Sequence, residues 1–180
     1  MAELVSKTYS EAIFDVAIEE GRLDDIQREF EFVAQTLIDY PAFNEIICTP
    51  KIGDSDKKTV ISETFENHVS VSLLNFLKII IDKKRGTDIL AIKKDFDRRV
   101  DDHKNIVKAI VDSVIPLTEE QLNALKDNLT KLTGKHVLIS NQINPALLGG
   151  ISIQMGDRII DGSVKFKLEG MLEGLTQIII

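Results

Sequence analysis

Asn144–Leu175, NPALLGGISIQMGDRIIDGSVKFKLEGMLEGL, decides how the chain is parsed. It spells a strand, a tight turn, a second short strand and a helix. Leu148, Ile151, Ile153 and Met155 are β-formers around Gly149-Gly150, where a missing Cβ permits a bulge or a close backbone approach. Gly156-Asp157 between two apolar runs predicts a two-residue hairpin turn, since glycine accepts the positive φ such turns demand. Asp161-Gly162-Ser163 stops the second strand and puts Ser163 in position to cap a helix. Val164, Leu168, Met171, Leu172 and Leu175 give that helix one apolar stripe at 3.6-residue spacing.

Working upstream, Ile106–Leu117 is β-branched, partly alternating and closed by Pro116, so it reads as a strand. Thr118-Glu119-Glu120-Gln121 is a capping box that opens a helix carrying Leu122, Leu125, Leu129 and Leu132, ended by Gly134. Val137–Ile143 is another strand. Residues 106–180 therefore predict a small α+β domain of order β-α-β-β-β-α.

Before residue 105 the period is helical. A first helix over residues 4–20 puts Val5, Tyr9, Ala12, Ile13 and Val16 on one stripe and leaves Phe14, Ala17 and Ile18 outside it, a surplus that a partner could cover. Leu23, Ile26, Phe30, Val33 and Leu37 trace the seam of a second helix. Pro41 and Pro50 bracket a short third one, Ala42–Cys48. Gly53-Asp54-Ser55 opens a fourth with Val60, Ile61 and Phe65 inward. The fifth, about Val69 to Lys84, is apolar on nearly every side, so it is central in its bundle or half-covered by another protein. Thr87 caps a sixth, with Ile89, Ile92, Phe96 and Val100 inward. The expected architecture is mainly α: a six-helix bundle over 1–105, then the small α+β domain over 106–180. The apolar tail Gln177-Ile178-Ile179-Ile180 has no reading.

Composition narrows the function. The chain has 180 residues, 43% of them hydrophobic and 6% aromatic, with no Trp, so Leu, Ile and Val must fill the core. A formal net charge of −7 repels phosphate backbones and anionic lipid, which argues against nucleic-acid or membrane-surface binding. A single cysteine, Cys48, makes no internal disulfide and points to a reducing compartment. No apolar stretch approaches the ~20 residues of a membrane-spanning helix, and the first residues lack a signal-peptide core. A soluble, cytoplasmic protein is expected.

Catalytic signals are poor. His68, His103 and His136 are scattered, with no metal-ligand spacing. There is no phosphate-binding G-x-x-x-x-G-K-[ST] loop, no dinucleotide fingerprint and no G-x-S-x-G elbow. Asp157 and Asp161 could serve as an acid–base pair only in a pocket that shifts their pKa values; turn geometry and the helix start explain both more simply. No catalytic, cofactor-binding or metal-binding residue is assigned. The residues describe a two-module adaptor with surplus apolar surface on its first and fifth helices.

The pattern Leu148-Gly149-Gly150-Ile151-x-Ile153-x-x-Gly156-Asp157-x-x-Ile160-Asp161-Gly162-Ser163 resembles the C-terminal signature of the delta subunit of bacterial F-type ATP synthases, counterpart of the mitochondrial oligomycin-sensitivity-conferring protein. Tyr9-Ser10-x-Ala12-Ile13-Phe14-x-x-Ala17 is similar to that family's first-helix pattern, with Ser10 in place of the usual alanine. Arg85-Gly86-Thr87-Asp88-Ile89-Leu90 stands where the family has a Gly-Arg-Leu type opening of helix six, in altered order. The resemblance implies a non-catalytic stator subunit, one per complex, peripheral at the cytoplasmic face of the bacterial membrane. Its bundle would grip the N-terminal segment of an alpha subunit in a groove between helices one and five. Its small domain would hold the b subunits of the peripheral stalk. On the two over-apolar helices the bulky candidates for that groove are Tyr9, Ile13, Phe14, Ile79 and Ile80. The alternatives are a regulatory adaptor with other partners and a ligand-binding or enzymatic domain using Asp157 and Asp161.

Overall fold

The computed structural model describes residues 2–156 and 158–178, and the chain divides between Asp101 and Asp102 into two compact units. It is mainly helical, with one four-stranded sheet in the second unit.

The first unit holds α1 (Ala2–Glu19), α2 (Leu23–Asp39), α3 (Pro41–Cys48), α4 (Asp54–Phe65), α5 (Val71–Asp82) and α6 (Ile89–His103), whose last residues cross the division. Pro41 starts α3 at the position where a missing N–H costs nothing. Ser70 caps α5 by accepting from the Leu73 N–H. A 3-10 turn, Gly86–Asp88, leads into α6. Ile26, Phe30, Val33 and Leu37 of α2 and Ile89, Ile92, Phe96 and Val100 of α6 are buried, as their spacing predicts.

Phe30 is the hub of this core. Its ring lies 6.0 Å from Phe76 in a T-shaped contact and 5.8 Å from Phe96 in a tilted one. The chain of rings continues outward, from Phe76 to Tyr9 and from Phe96 to Phe14, each at 6.5 Å. Offset and edge-on rings add to the burial of their own area, so with no Trp the phenylalanines carry much of the packing.

One helix departs from its expected stripe. In α1 the buried positions are Ser6, Ser10, Ile13 and Ala17, while Ala12 and Val16, placed inward by pattern, face out. The reason is polar. Ser6 donates to Asp95 at 2.5 Å, and Ser10 accepts from Arg99 at 3.3 Å while donating to the Lys7 carbonyl. Arg99 also reaches the Lys7 carbonyl and Glu11. Two small hydroxyls thus let α1 and α6 approach and satisfy each other. In α5, Leu73, Leu74, Phe76, Leu77, Ile80 and Ile81 are buried, so the helix is central on most sides; Val71 and Ile79 are exposed.

In the second unit β1 (Ile106–Ser113), α7 (Glu119–Thr133), β2 (His136–Ile143), β3 (Ile151–Met155), β4 (Arg158–Asp161) and α8 (Val164–Ile178) follow in order. The sheet runs β2-β1-β3-β4. β1 and β2 are parallel, which requires the crossover that α7 supplies, whereas β1–β3 and β3–β4 are antiparallel. The capping box of α7 forms, with the Gln121 N–H on the Thr118 hydroxyl and the Thr118 N–H on the Gln121 side chain. Ala109, Val111, Val137, Ile153 and Met155 bury one face of the sheet with Leu129. β1 ends at Ser113, short of Pro116, where Asn141 ties the strand ends. The Asn141 amide donates to the Val111 carbonyl and to Ser113, each at 2.8 Å, and its oxygen accepts from the Leu117 N–H.

Leu132 of α7 is exposed, and one expectation here needs correction. Leu148 is not in a strand; it sits at φ 63 after a 3-10 turn, Pro145–Leu147, and β3 begins at Ile151. Of the stripe on α8, Val164, Leu168 and Met171 are exposed. The side chains of Leu172 and Leu175 and the tail residues Ile179 and Ile180 lie outside the described residues.

Because Phe30 touches the rings of both α5 and α6, Phe30→Ala should cost about 3–5 kcal/mol. Urea unfolding followed by circular dichroism is the check; a loss below about 1 kcal/mol would remove Phe30 from the centre of the core.

Candidate functional site

Among the described residues no group of three or more His, Cys, Asp or Glu is placed to hold a metal ion. What the two units offer instead is exposed apolar surface.

In the first unit the patch follows the seam between α1 and α5. Ser72 donates to Glu20, just past the end of α1, at 2.5 Å, and Tyr9 meets Phe76. These contacts fix which stripe of each helix faces the other. Val16 lies seven residues after Tyr9 and four before Glu20, so it belongs to the same stripe of α1. Ile79 lies three residues after Phe76 and seven after Ser72, on the matching stripe of α5. Val16 is 37% exposed and Ile79 49%. The seam is therefore floored by Tyr9 and Phe76 and rimmed by Val16 and Ile79.

Of the residues expected to line a groove, Ile79 is on this seam and Tyr9 is half-buried within it. Phe14 is half-buried on the α6 side, against Phe96. Ile13 and Ile80 belong to the core, 1% and 0% exposed, and this removes them from the candidates. Sequence spacing alone missed Val16 as an exposed neighbour of Ile79; the signal that finds it is the α1–α5 pairing, a non-local contact.

In the second unit the patch is α8. Ser163 is buried and its hydroxyl accepts from the Phe166 N–H at 3.1 Å, while Asp161 accepts from the Ser163 N–H at 2.8 Å. The backbone hydrogen bond from Ser163, then that from its hydroxyl, hold the Asp161 carboxyl below the usual carboxylate range. Asp161 thus ends a strand and starts a helix, with its Oδ1 accepting from the Ser163 N–H. Asp157 lies outside the described residues, but the pairing of Met155 with Arg158 makes the β3–β4 connection two residues long, with Gly156 at φ 57.

The glycine pair acts by close approach. A Cβ on Gly150, at φ 77, would stand 2.4 Å from the Gly162 carbonyl oxygen. One on Gly149 would stand 2.9 Å from Val164. The Val164 N–H donates to the Gly149 carbonyl and the Gly162 N–H to that of Ile151. These contacts pin the first turn of α8 and leave the helix beyond it open: Phe166 is 57% exposed and Met171 64%. Ile110, Leu138 and Ile159 are exposed on the face of the sheet opposite the α7 core.

Two outcomes follow. Gly150→Ala should lower stability by more than the roughly 1–2 kcal/mol that a left-handed alanine costs, because the added methyl also meets a carbonyl; thermal unfolding reads it. Asp161→Ala should lower the melting temperature at pH 7. The folded carboxyl is held low, so its stabilisation is complete above about pH 3.9 and is lost as pH falls through the depressed folded value. Melts of wild type and variant should converge in strong acid; a gap that persists there would mean that Asp161 does not act through its charge.

The family model described as "ATP synthase delta (OSCP) subunit" matches residues 5–175. The chain is 38% identical to the ATP synthase subunit delta of Alkaliphilus metalliredigens over 180 residues, covering 100% of both chains. It is 36% identical to that of Desulfitobacterium hafniense over 172 residues, 96% of each. Among solved structures, a chain of the Toxoplasma gondii mitochondrial ATP synthase hexamer has the same fold, with a TM-score of 0.75 at 16% identity over 95% of this chain and 97% of that one.

Proposed function

The chain belongs to the ATP synthase delta (OSCP) subunit family, and from that premise we propose that it is the non-catalytic stator subunit joining the catalytic head of an F-type ATP synthase to its peripheral stalk. Residues 1–105 bind the N-terminal segment of an alpha subunit. Residues 106–180 bind the C-terminal ends of the b subunits. The observation that carries the reading is the apolar seam between α1 and α5, with Val16 and Ile79 exposed above half-buried Tyr9 and buried Phe76. Such a seam suits the apolar side of an amphipathic helix, whose anchors at i, i+3, i+4 and i+7 fall along a single line.

The second unit supports the other half. α8 is pinned at its first turn and presents Val164, Phe166, Leu168 and Met171 to solvent. A helix with that face buries it against another helix of the stalk. No helix among the described residues is long and apolar enough to cross a membrane; attachment is through the b subunits, at the cytoplasmic face. The task is mechanical. Torque on the head is resisted by two interfaces in series, and the weaker of them sets the limit.

Native mass spectrometry with the delta-depleted head of the same synthase tests this. One copy should bind per head, and binding should vanish when the alpha N-terminal segment is removed. Val16→Asp and Ile79→Asp should abolish binding while leaving the bundle within about 0.5–1 kcal/mol of wild type, as surface changes do. Ile80→Asp should unfold it. Phe166→Asp should release the b subunits and leave the head bound. Seam variants that bind like wild type would move the head interface elsewhere on the bundle.

A further inference from the structure

The core face of the sheet in the second unit is wider than the helix that covers it. Directly opposed residues of antiparallel strands share a face. The pairs Ala109–Met155, Met155–Arg158 and Ile153–Ile160 therefore put Arg158 and Ile160 on the same face as the core. α7 packs on that face against β2, with Leu129 among Val111, Val137 and Ile153. Four strands about 4.8 Å apart make a face about 19 Å wide, whereas one helix is about 10 Å across. One helix covers about two strands. The β4 side stays open: Ile160 is 44% exposed, and Arg158 is exposed as well. α8 packs elsewhere, on the 3-10 turn ahead of β3.

The open side forms a slot of about 460 Å³ beside the end of α7. Val107 and buried Met155 make its floor, with Leu132 of α7 and Ile160 of β4 as apolar walls. Leu132 is 69% exposed. Lys135 and Arg158 also line the slot, and no acid is among the described residues that do so. In a chain of net charge −7, an acid-free lining with two cations is a local reversal of sign. Lys135 is paired with Asp102 at 2.9 Å. Arg158, on the β4 side, is the cation that an incoming acid would meet.

We propose that this slot seats an amphipathic helix of the peripheral stalk. Its apolar stripe lies on Val107, Leu132, Met155 and Ile160, and an acidic side chain at the edge of that stripe pairs with Arg158. The uncovered width, about one helix diameter, selects a helix; the sign of the lining selects an acid over a base. That the stalk supplies the helix rests on the proposed function, whereas the stripe and the acid rest on the slot itself. This seat is distinct from the exposed face of α8.

The test is calorimetric titration of the whole purified chain with a soluble fragment of the b subunit of the same synthase, lacking its membrane segment. Leu132→Asp and Ile160→Asp should each weaken binding by more than about tenfold, since each buries a charge under the incoming helix. Both side chains are exposed in the free chain, so circular dichroism should be unchanged, and either variant keeps the test valid should the other misfold. Ile110→Asp, on the opposite face, should bind like wild type. Arg158→Gln should weaken binding by about tenfold, the loss of one charge-assisted hydrogen bond, and should flatten its salt dependence. Arg158→Glu should weaken it further, and one acid-to-lysine change on the b helix should restore it. Binding that persists in both Leu132→Asp and Ile160→Asp would overturn the slot and leave the stalk reading standing; no binding by wild type would overturn both. Arg158 variants that bind as tightly as wild type would overturn the acidic partner. Dimerisation of the chain alone, lost in Ile160→Asp, would give the slot to a second copy and overturn the proposal.

Discussion

The contact of Phe30 with Phe76 and Phe96 is the constraint on which the first unit depends. It fixes the rotation of α5 and α6 about their axes, because each helix must turn one ring toward α2. Once Phe76 is held inward, Ile80 and Leu77 follow it into the core and Ile79 is left outside. Likewise Phe96 fixes α6 so that Asp95 and Arg99 point at α1, where Ser6 and Ser10 answer them. The apolar seam proposed for the head is thus a by-product of how three aromatic rings share one centre.

Much of this was legible in the order of residues. The seams of α2 and α6, the proline at the start of α3, the capping box of α7 and the Gly-Asp hairpin are local patterns, and local patterns report on neighbours three or four residues away. What such patterns cannot report is the direction a helix faces when both sides are apolar. α1 carries two overlapping stripes, and hydrophobicity favoured the wrong one, since the buried stripe contains two serines. In α5 the same ambiguity placed Ile80 on the surface beside Ile79. In α1 the cause is distance along the chain: the partner groups, Asp95 and Arg99, lie nearly ninety residues away.

The second unit repeats the lesson in another form. Gly149 and Gly150 were read as a bulge or a close approach, and the distances show the approach. The final helix was read as amphipathic, which it is, but amphipathic spacing does not say whether the covering surface belongs to the same chain. Asn141, which closes the end of the β1–β2 pair through three hydrogen bonds, carried no signal at all. A polar residue in a strand looks like a solvent-facing one until the strand beside it is known.

Tyr9 has a practical consequence. The chain has no tryptophan and two tyrosines. One is Tyr40, 64% exposed at the end of α2, and the other is Tyr9, half-buried in the α1–α5 seam with its ring against Phe76. Intrinsic tyrosine emission from a Tyr40→Phe protein would therefore come from the seam alone. The fold carries its own optical gauge at the place where a partner helix would dock, without a dye.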